Sequence, residues 1–430
     1  MRMNKRHLIG LMAALPLAWL AGCGGGDDSN DANVRLVNAS AGYASLDLYV
    51  KDDLEISAVD FGTGSDYTGV SSGDSVENVL TSAGSTTELL NQSRTLSSGK
   101  KYTIIAYGWE GALKSVIFTD DEDKADSNKT KVSVFNGAVG AGSVDVYLTG
   151  EDESLESVEP IQSGVAEGAS GNGYATVTSG TYRLRVTAAG DTDDLRLDVS
   201  GVVVESTDVV NLVLSPGAGG VLVNAIGVVQ GGDVTPYLNT KARIRVVPAV
   251  AGGARVTVTA GPTTVASNAV SPSIGQYQLV TAGTMTLATN VAGTDLPDQA
   301  ITLAAGADMT VLVTGTSVAE ATVNAITDDN RLPTTTSRFK VRLVHAAPSL
   351  AERPVTMAIN SSQVVSNLEF GAASDFETEV AVNDARLELS EPNEGIFYSD
   401  AEVDFITGSV YTVFVFDYAD GPSVVLTTGR

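Results

Sequence analysis

Val34-Arg-Leu-Val-Asn-Ala-Ser-Ala-Gly42 is an alternating stretch that runs into a turn of small residues, and its pattern occurs four times. The counterparts are Val132-Ser-Val-Phe-Asn-Gly-Ala-Val-Gly140, Ile244-Arg-Val-Val-Pro-Ala-Val-Ala-Gly252 and Val341-Arg-Leu-Val-His-Ala-Ala-Pro-Ser349. Each leads into a second alternating segment: Leu46-Asp-Leu-Tyr-Val50, Val144-Asp-Val-Tyr-Leu148, Ala254-Arg-Val-Thr-Val258 and Val355-Thr-Met-Ala-Ile359. A period of two is the mark of a strand with one face on a core. Self-similarity at a fixed spacing means that one supersecondary unit is built several times.

The later parts of each unit agree. Phe61-Gly-Thr-Gly-Ser-Asp-Tyr67 matches Phe370-Gly-Ala-Ala-Ser-Asp-Phe376, with looser counterparts at Gly168–Tyr174 and Ser273–Tyr277. Ser179-Gly-Thr-Tyr-Arg-Leu-Arg-Val186 recurs as Ala282-Gly-Thr-Met-Thr-Leu287, and an apolar strand follows in every copy, at Tyr102–Tyr107, Val209–Leu214, Met309–Val313 and Tyr411–Phe416. Short strands parted by Gly, Ser, Asp and Asn turns predict an all-β chain of four tandem antiparallel β-sandwiches, immunoglobulin-like or transthyretin-like. The repeats are expected at 34–126, 127–238, 239–332 and 333–430, able to form an elongated stalk. The third is the most divergent and least acidic, which suits a spacer or a face that meets a partner.

Arg2, Lys5 and Arg6 precede an apolar run from Leu8 to Leu20 that is too short to span a bilayer. Residues 1–22 therefore read as a signal peptide. Leu20-Ala-Gly-Cys23 resembles the lipobox of bacterial lipoproteins, which implies cleavage between Gly22 and Cys23 and lipidation of Cys23, palmitate included. Cys23 is the sole cysteine, so no disulfide forms within the chain. Residues 23–33 hold little to bury and read as a lipidated, flexible tether. The expected location is the cell envelope, anchored in the outer membrane and facing the periplasm or the surface.

The formal charge is −26 over 430 residues, and 43% of residues are hydrophobic. Such an acidic surface repels phosphate backbones, which argues against a nucleic-acid partner. The membrane, through the N-terminal lipid, is one expected partner; a glycan or protein at the envelope is another.

The motifs also carry a family resemblance. The first strand and turn, Val-Asp-Val-Tyr, Phe-Gly-x-x-Ser-Asp-Tyr and Gly-Thr-Tyr-Arg-Leu-Arg-Val together resemble the family numbered 4397 among domains of unknown function. The resemblance runs along repeats 1, 2 and 4, while repeat 3 lacks the Phe-Gly piece and the Asp-Tyr pair. It implies repeated β-sandwiches on bacterial secreted or surface proteins and supplies no activity.

Candidates for chemistry are few. His345 is the only histidine after the signal segment and stands where the other repeats have Asn38, Asn136 and Pro248, so it reads as a turn residue and no catalytic residue is assigned. Asp47 and Asp145 share a position where repeats 3 and 4 have Arg255 and Thr356, and they read as outward, solvated side chains. Asp66 and Asp375 read as Asx-turn residues. Asp120, Asp121, Asp123 and Asp126, at the junction of repeats 1 and 2, are candidate calcium ligands, because calcium collects carboxylate oxygens. Asp328-Asp329 sits at the junction of repeats 3 and 4. Trp109, in the turn Tyr107–Gly111, is the candidate for stacking on a sugar. The sequence thus favours a non-enzymatic envelope lipoprotein serving adhesion or envelope organisation. The alternatives are a carbohydrate-binding lipoprotein of a polysaccharide-uptake system and a carboxylate hydrolase.

Overall fold

The computed structural model describes residues 31–428 and 430. The signal peptide, Gly22 and Cys23 lie outside the described residues. Strands dominate, broken only by one-turn 3-10 segments, and no helix among the described residues is long and apolar enough to cross a membrane.

The first unit has two four-stranded sheets. One is ordered Thr68–Ser71, Asp31–Ala39, Lys101–Tyr107, Lys114–Thr119; the other Asp53–Asp60, Ser45–Val50, Gly73–Ser82, Glu88–Leu96. The same path recurs three more times, with an added edge strand Val234–Tyr237 in the second unit and with the last strand of the third unit's second sheet split into Thr294–Asp295 and Gln299–Leu303. Four β-sandwiches result. Their sheets are antiparallel except for one parallel pair each, such as Asp31–Ala39 beside Lys101–Tyr107. Parallel neighbours need a crossover, and here the crossover is the second sheet itself.

The first strand begins at Asp31, earlier than a flexible tether to residue 33 allows. Asp31, Ala32 and Asn33 pair with Ser71, Val70 and Gly69, and Ala32 is buried in the core beside Val34 and Leu36. Burying each such Val or Leu contributes roughly 1.5–3 kcal/mol.

Asp47 and Asp145 alternate with the core residues Leu46, Leu48, Val144 and Val146 and so point away from the core, yet they are buried there, contrary to the expectation of a solvated face. Asp47 Oδ1 accepts from the Ala58 amide at 2.6 Å and Oδ2 from Gly84 at 2.8 Å. Asp145 does the same with Gly164 at 2.7 Å and Gly190 at 2.8 Å. Ala58 and Gly164 have positive φ, +53° and +59°, at a bulge in the neighbouring strand. In the third and fourth units Thr257 and Thr356 accept from Asn268 and Asn367, whose φ values are +54° and +49°. The structural counterpart of Asp47 is therefore Thr257 and not Arg255; the sequence alignment slipped by two residues, which preserves the strand period.

The units are not strung end to end. The first sheets of units 1 and 2 pack face to face, burying Val37, Ile105 and Tyr107 against Phe135, Val213 and Ile226. Units 3 and 4 repeat the arrangement with Val247 and Leu312 against Val344, Phe414 and Phe416. Each first strand is thus covered on both sides: Val34 and Leu36 face their own sandwich, while Arg35 and Val37 face the next. The expectation of a stalk fails because that strand has two apolar faces. The third unit is no spacer, since its first sheet is the partner of the fourth.

Candidate functional site

The arginine of the first strand, pointing away from its own core, sets up the junctions. Arg35, Arg245 and Arg342 lie over Tyr67, Tyr277 and Phe376 at 4.8, 4.7 and 4.6 Å from the ring centres. Their Nε atoms donate to Thr103, Thr310 and Thr412 at 2.8, 2.9 and 3.2 Å. Tyr277 therefore does in the third unit what Tyr67 does in the first, although the sequence there lacks the Asp-Tyr pair. The second unit substitutes Ser133 and Asn211, with Tyr174 at 3.5 Å from Asn211.

These arginines then cross to the partner unit. Arg35 donates to the carbonyls of Gly232 and Val229 at 2.7 and 2.9 Å. Arg342 forms an ion pair with Asp328 of the third unit at 2.6 Å. The other oxygen of Asp328 accepts from Tyr277 and Thr310, both at 2.6 Å. Beside it, Arg243 grips Asp308 with two bonds of 2.8 and 2.6 Å, and Asn330 Nδ2 donates to Asp308 at 2.8 Å and to the Tyr277 hydroxyl at 3.1 Å. Burial pushes the Tyr277 hydroxyl well up, and the Asp328 charge adds to this. Asp329, one residue on, is half-exposed and pairs with Arg331 and Lys340 at 2.6 and 2.8 Å. Burial works to raise its pKa, but the two cations outweigh it and hold the carboxyl at about 2.

The link between units 3 and 4 also meets units 1 and 2. Arg331 lies over Trp109 at 5.2 Å, and Trp109 Nε1 donates to the Val139 carbonyl at 3.2 Å. Trp109 is 6% exposed, so it seals a junction between units and offers no open platform to a sugar. Glycines make this crowding possible: a Cβ on Gly219 would lie 2.7 Å from Asp308, and one on Gly220 2.7 Å from the Arg331 backbone. Clefts of about 430 and 570 Å³ remain on the two sides of the segment 332–335, between Trp109 and the fourth unit.

The acidic run at the first junction is dispersed. Asp120 accepts from Tyr67 and Thr103 at 2.5 and 2.6 Å, and Asp121 pairs with Lys100 at 3.0 Å. Glu122 pairs with Lys131, while Asp123 and Asp126 engage through their backbone carbonyls. The calcium candidates are not brought together, and among the described residues no three His, Cys, Asp or Glu side chains are grouped to hold a metal ion. At Asp66 and Asp375 the turn is tied by the preceding serine, whose hydroxyl donates to the Asp carbonyl and accepts from the first strand.

His345 is fully buried. Its Nε2 is 3.2 Å from the Arg353 carbonyl, Nδ1 has no partner, and Phe370 packs edge-on at 5.6 Å. Burial lowers its pKa. Asn38 and Asn136 fill the same place by donating to two carbonyls each. The histidine is a turn staple.

The sequence model described as Domain of unknown function (DUF4397) matches residues 32–147 and 242–352. The chain belongs to the DUF4397 family. Each DUF4397 match takes in one whole sandwich and the first strand of the partner that packs on it, so the pairing face falls inside the matched sequence. Among solved structures, a candidate cell adhesion protein from Bacteroides uniformis aligns at 11% identity and a TM-score of 0.21, over 47% of this chain and 97% of that one. The CBM26 module of Eubacterium rectale Amy13K, solved with maltoheptaose, aligns at 12% identity and a TM-score of 0.15, over 48% and 96%. At these scores neither carries an argument about this DUF4397 chain. No curated protein matches it.

Proposed function

We propose that the chain is a non-catalytic, lipid-anchored protein of the bacterial cell envelope that presents a rigid four-sandwich body for adhesion or envelope organisation. The supporting observation is where its buried ionisable groups are committed. Asp47 and Asp145 staple bulges, His345 staples a turn, and Arg35, Arg342, Asp308 and Asp328 bind unit to unit or strand to strand. A hydrolase needs two carboxylates facing a substrate cleft, and these carboxylates face backbone amides and arginines. A carbohydrate-uptake role would need an open aromatic platform, and Trp109 is covered by Arg331.

Protease shaving of intact cells tests this reading, with Cys23→Ala as the anchoring control. Stripping of the full-length chain from intact cells supports surface adhesion. Cleavage only after the outer membrane is opened supports a periplasmic organising role. Release of the wild-type chain without membrane disruption, or turnover on a broad glycan panel, overturns the reading.

A further inference from the structure

The second unit carries a groove of about 470 Å³ beside its junction with the first, whose Arg35 binds the carbonyls of two lining residues, Val229 and Gly232. It opens between the end of Asp191–Val204 and the added strand Val234–Tyr237, which are the outermost strands of the two facing sheets. Val210 and Leu212 form its base, and the Tyr237 ring forms one wall. That ring lies so close over Gly227 that a Cβ there would be 2.9 Å away. Val203 at the lip is 50% exposed, an apolar side chain facing water. Glu205, Asp208 and Asp233 stand around the rim, and none of the three forms an ion pair among the described residues.

We propose that this groove takes an extended peptide strand of another protein in which apolar and basic residues alternate. A free sheet edge offers unpaired backbone donors and acceptors, and adding a strand satisfies them. Pro236 removes a donor from the Val234–Tyr237 edge, so the guest pairs with Gly201–Val204. The strand period then sends alternate side chains inward, onto Val210 and Leu212, and outward, toward the three carboxylates. A second copy of this chain is excluded as the guest by its formal charge of −26, whereas a basic segment is attracted both by the rim and by the whole molecule. This inference rests on the reading of the chain as a binding protein, and the shaving experiment reports on that reading separately.

The test is titration of the purified full chain, in detergent micelles, with an acetylated and amidated heptapeptide alternating Lys and Val. A Glu and Val heptapeptide and a backbone N-methylated Lys and Val version serve as comparisons. Saturable binding of the first alone, weakened by added salt and at least about tenfold by Glu205→Gln, Asp208→Asn and Asp233→Asn together, is the expected result. Removing three exposed acids elsewhere, Asp52→Asn, Asp53→Asn and Asp74→Asn, leaves it unchanged. Absence of binding, undiminished binding of the methylated peptide, or equal losses in both triple variants overturns the groove assignment. A chain that shaving places outside the cell but that fails this titration loses only the groove.

Discussion

Arg342 of the fourth unit holds its Nη2 2.6 Å from Oδ1 of Asp328 of the third, and both side chains are sealed from solvent. Neither unit could bury its half of this pair alone, because an uncompensated charge in a low-dielectric interior costs several kcal/mol. The ion pair makes the fourth sandwich a condition of the third, and the stacked Phe414 and Phe416 rings, 5.5 Å apart, complete the seam.

Removing one partner should expose that dependence. Asp328→Asn and Arg342→Met are each expected to lower stability by about 3–5 kcal/mol. Replacing both by apolar residues should recover much of the loss. Denaturant midpoints measure this, and single losses under about 1 kcal/mol would show that the pair is not a seam.

The apolar part of the seam makes a separate claim. Phe414→Ala should cost about 3–5 kcal/mol through the cavity it leaves. Val344→Asp places a charge where Val247 and Leu312 pack, and should uncouple units 3 and 4. Calorimetry should then resolve two transitions where the parent chain shows one for that pair; an unchanged single transition would mean that the units fold together for another reason.

The bulge staples should scale with the bonds they make. Asp47→Ala and Asp145→Ala each orphan two backbone amides, for an expected loss of about 2–3 kcal/mol. Thr257→Val and Thr356→Val orphan one, for about 1 kcal/mol. Equal losses across the four would break the equivalence of the positions.

The four sandwiches were legible because alternation at Val34, Leu36, Leu46 and Leu48 repeats along the chain. The pairing of units was missed, although the other parity carried a signal for it: Val37, Phe135, Val247 and Val344 are apolar on the face that a singly covered strand would leave polar, a sign of double cover. Asp47 looked solvated because its partners, the amides of Ala58 and Gly84, are backbone groups with no sequence signature. Trp109 looked like a platform because Arg331, more than two hundred residues away, cannot be placed beside it without the fold. The acidic run at Asp120 looked like a cluster because nearness in sequence hides the divergence of side chains along an extended backbone.

His345 gives a pH dependence with a definite sign. Burial sets its folded pKa below the ordinary 6.5. The unfolded chain then takes up the proton first, so the stability tied to the neutral ring is complete above pH 6.5 and declines as pH falls below it. His345→Asn restores the residue type that serves in the first two units and should flatten that decline. A denaturant series across this range checks it; identical slopes for both chains would mean that the ring does not stay neutral when folded.

Asp329 acts lower on the scale. Its carboxyl is held at about 2, against an ordinary 3.8, because Arg331 and Lys340 outweigh the burial that would raise it. A depressed carboxyl contributes stability above its unfolded pKa and loses it as pH falls through the folded one, so the contribution should fade between about pH 4 and pH 2. Its side chain is 38% exposed, so water and salt screen the pair and the effect is modest. Asp329→Asn should remove that segment of the acid titration while leaving the midpoint above pH 5 nearly in place. Because Arg331 also covers Trp109, the same substitution should loosen Arg331 and raise quenching of Trp109 fluorescence by acrylamide. Loss of the acid step without any change in quenching would mean that Arg331 is held over the ring by the backbone path of the link and not by Asp329.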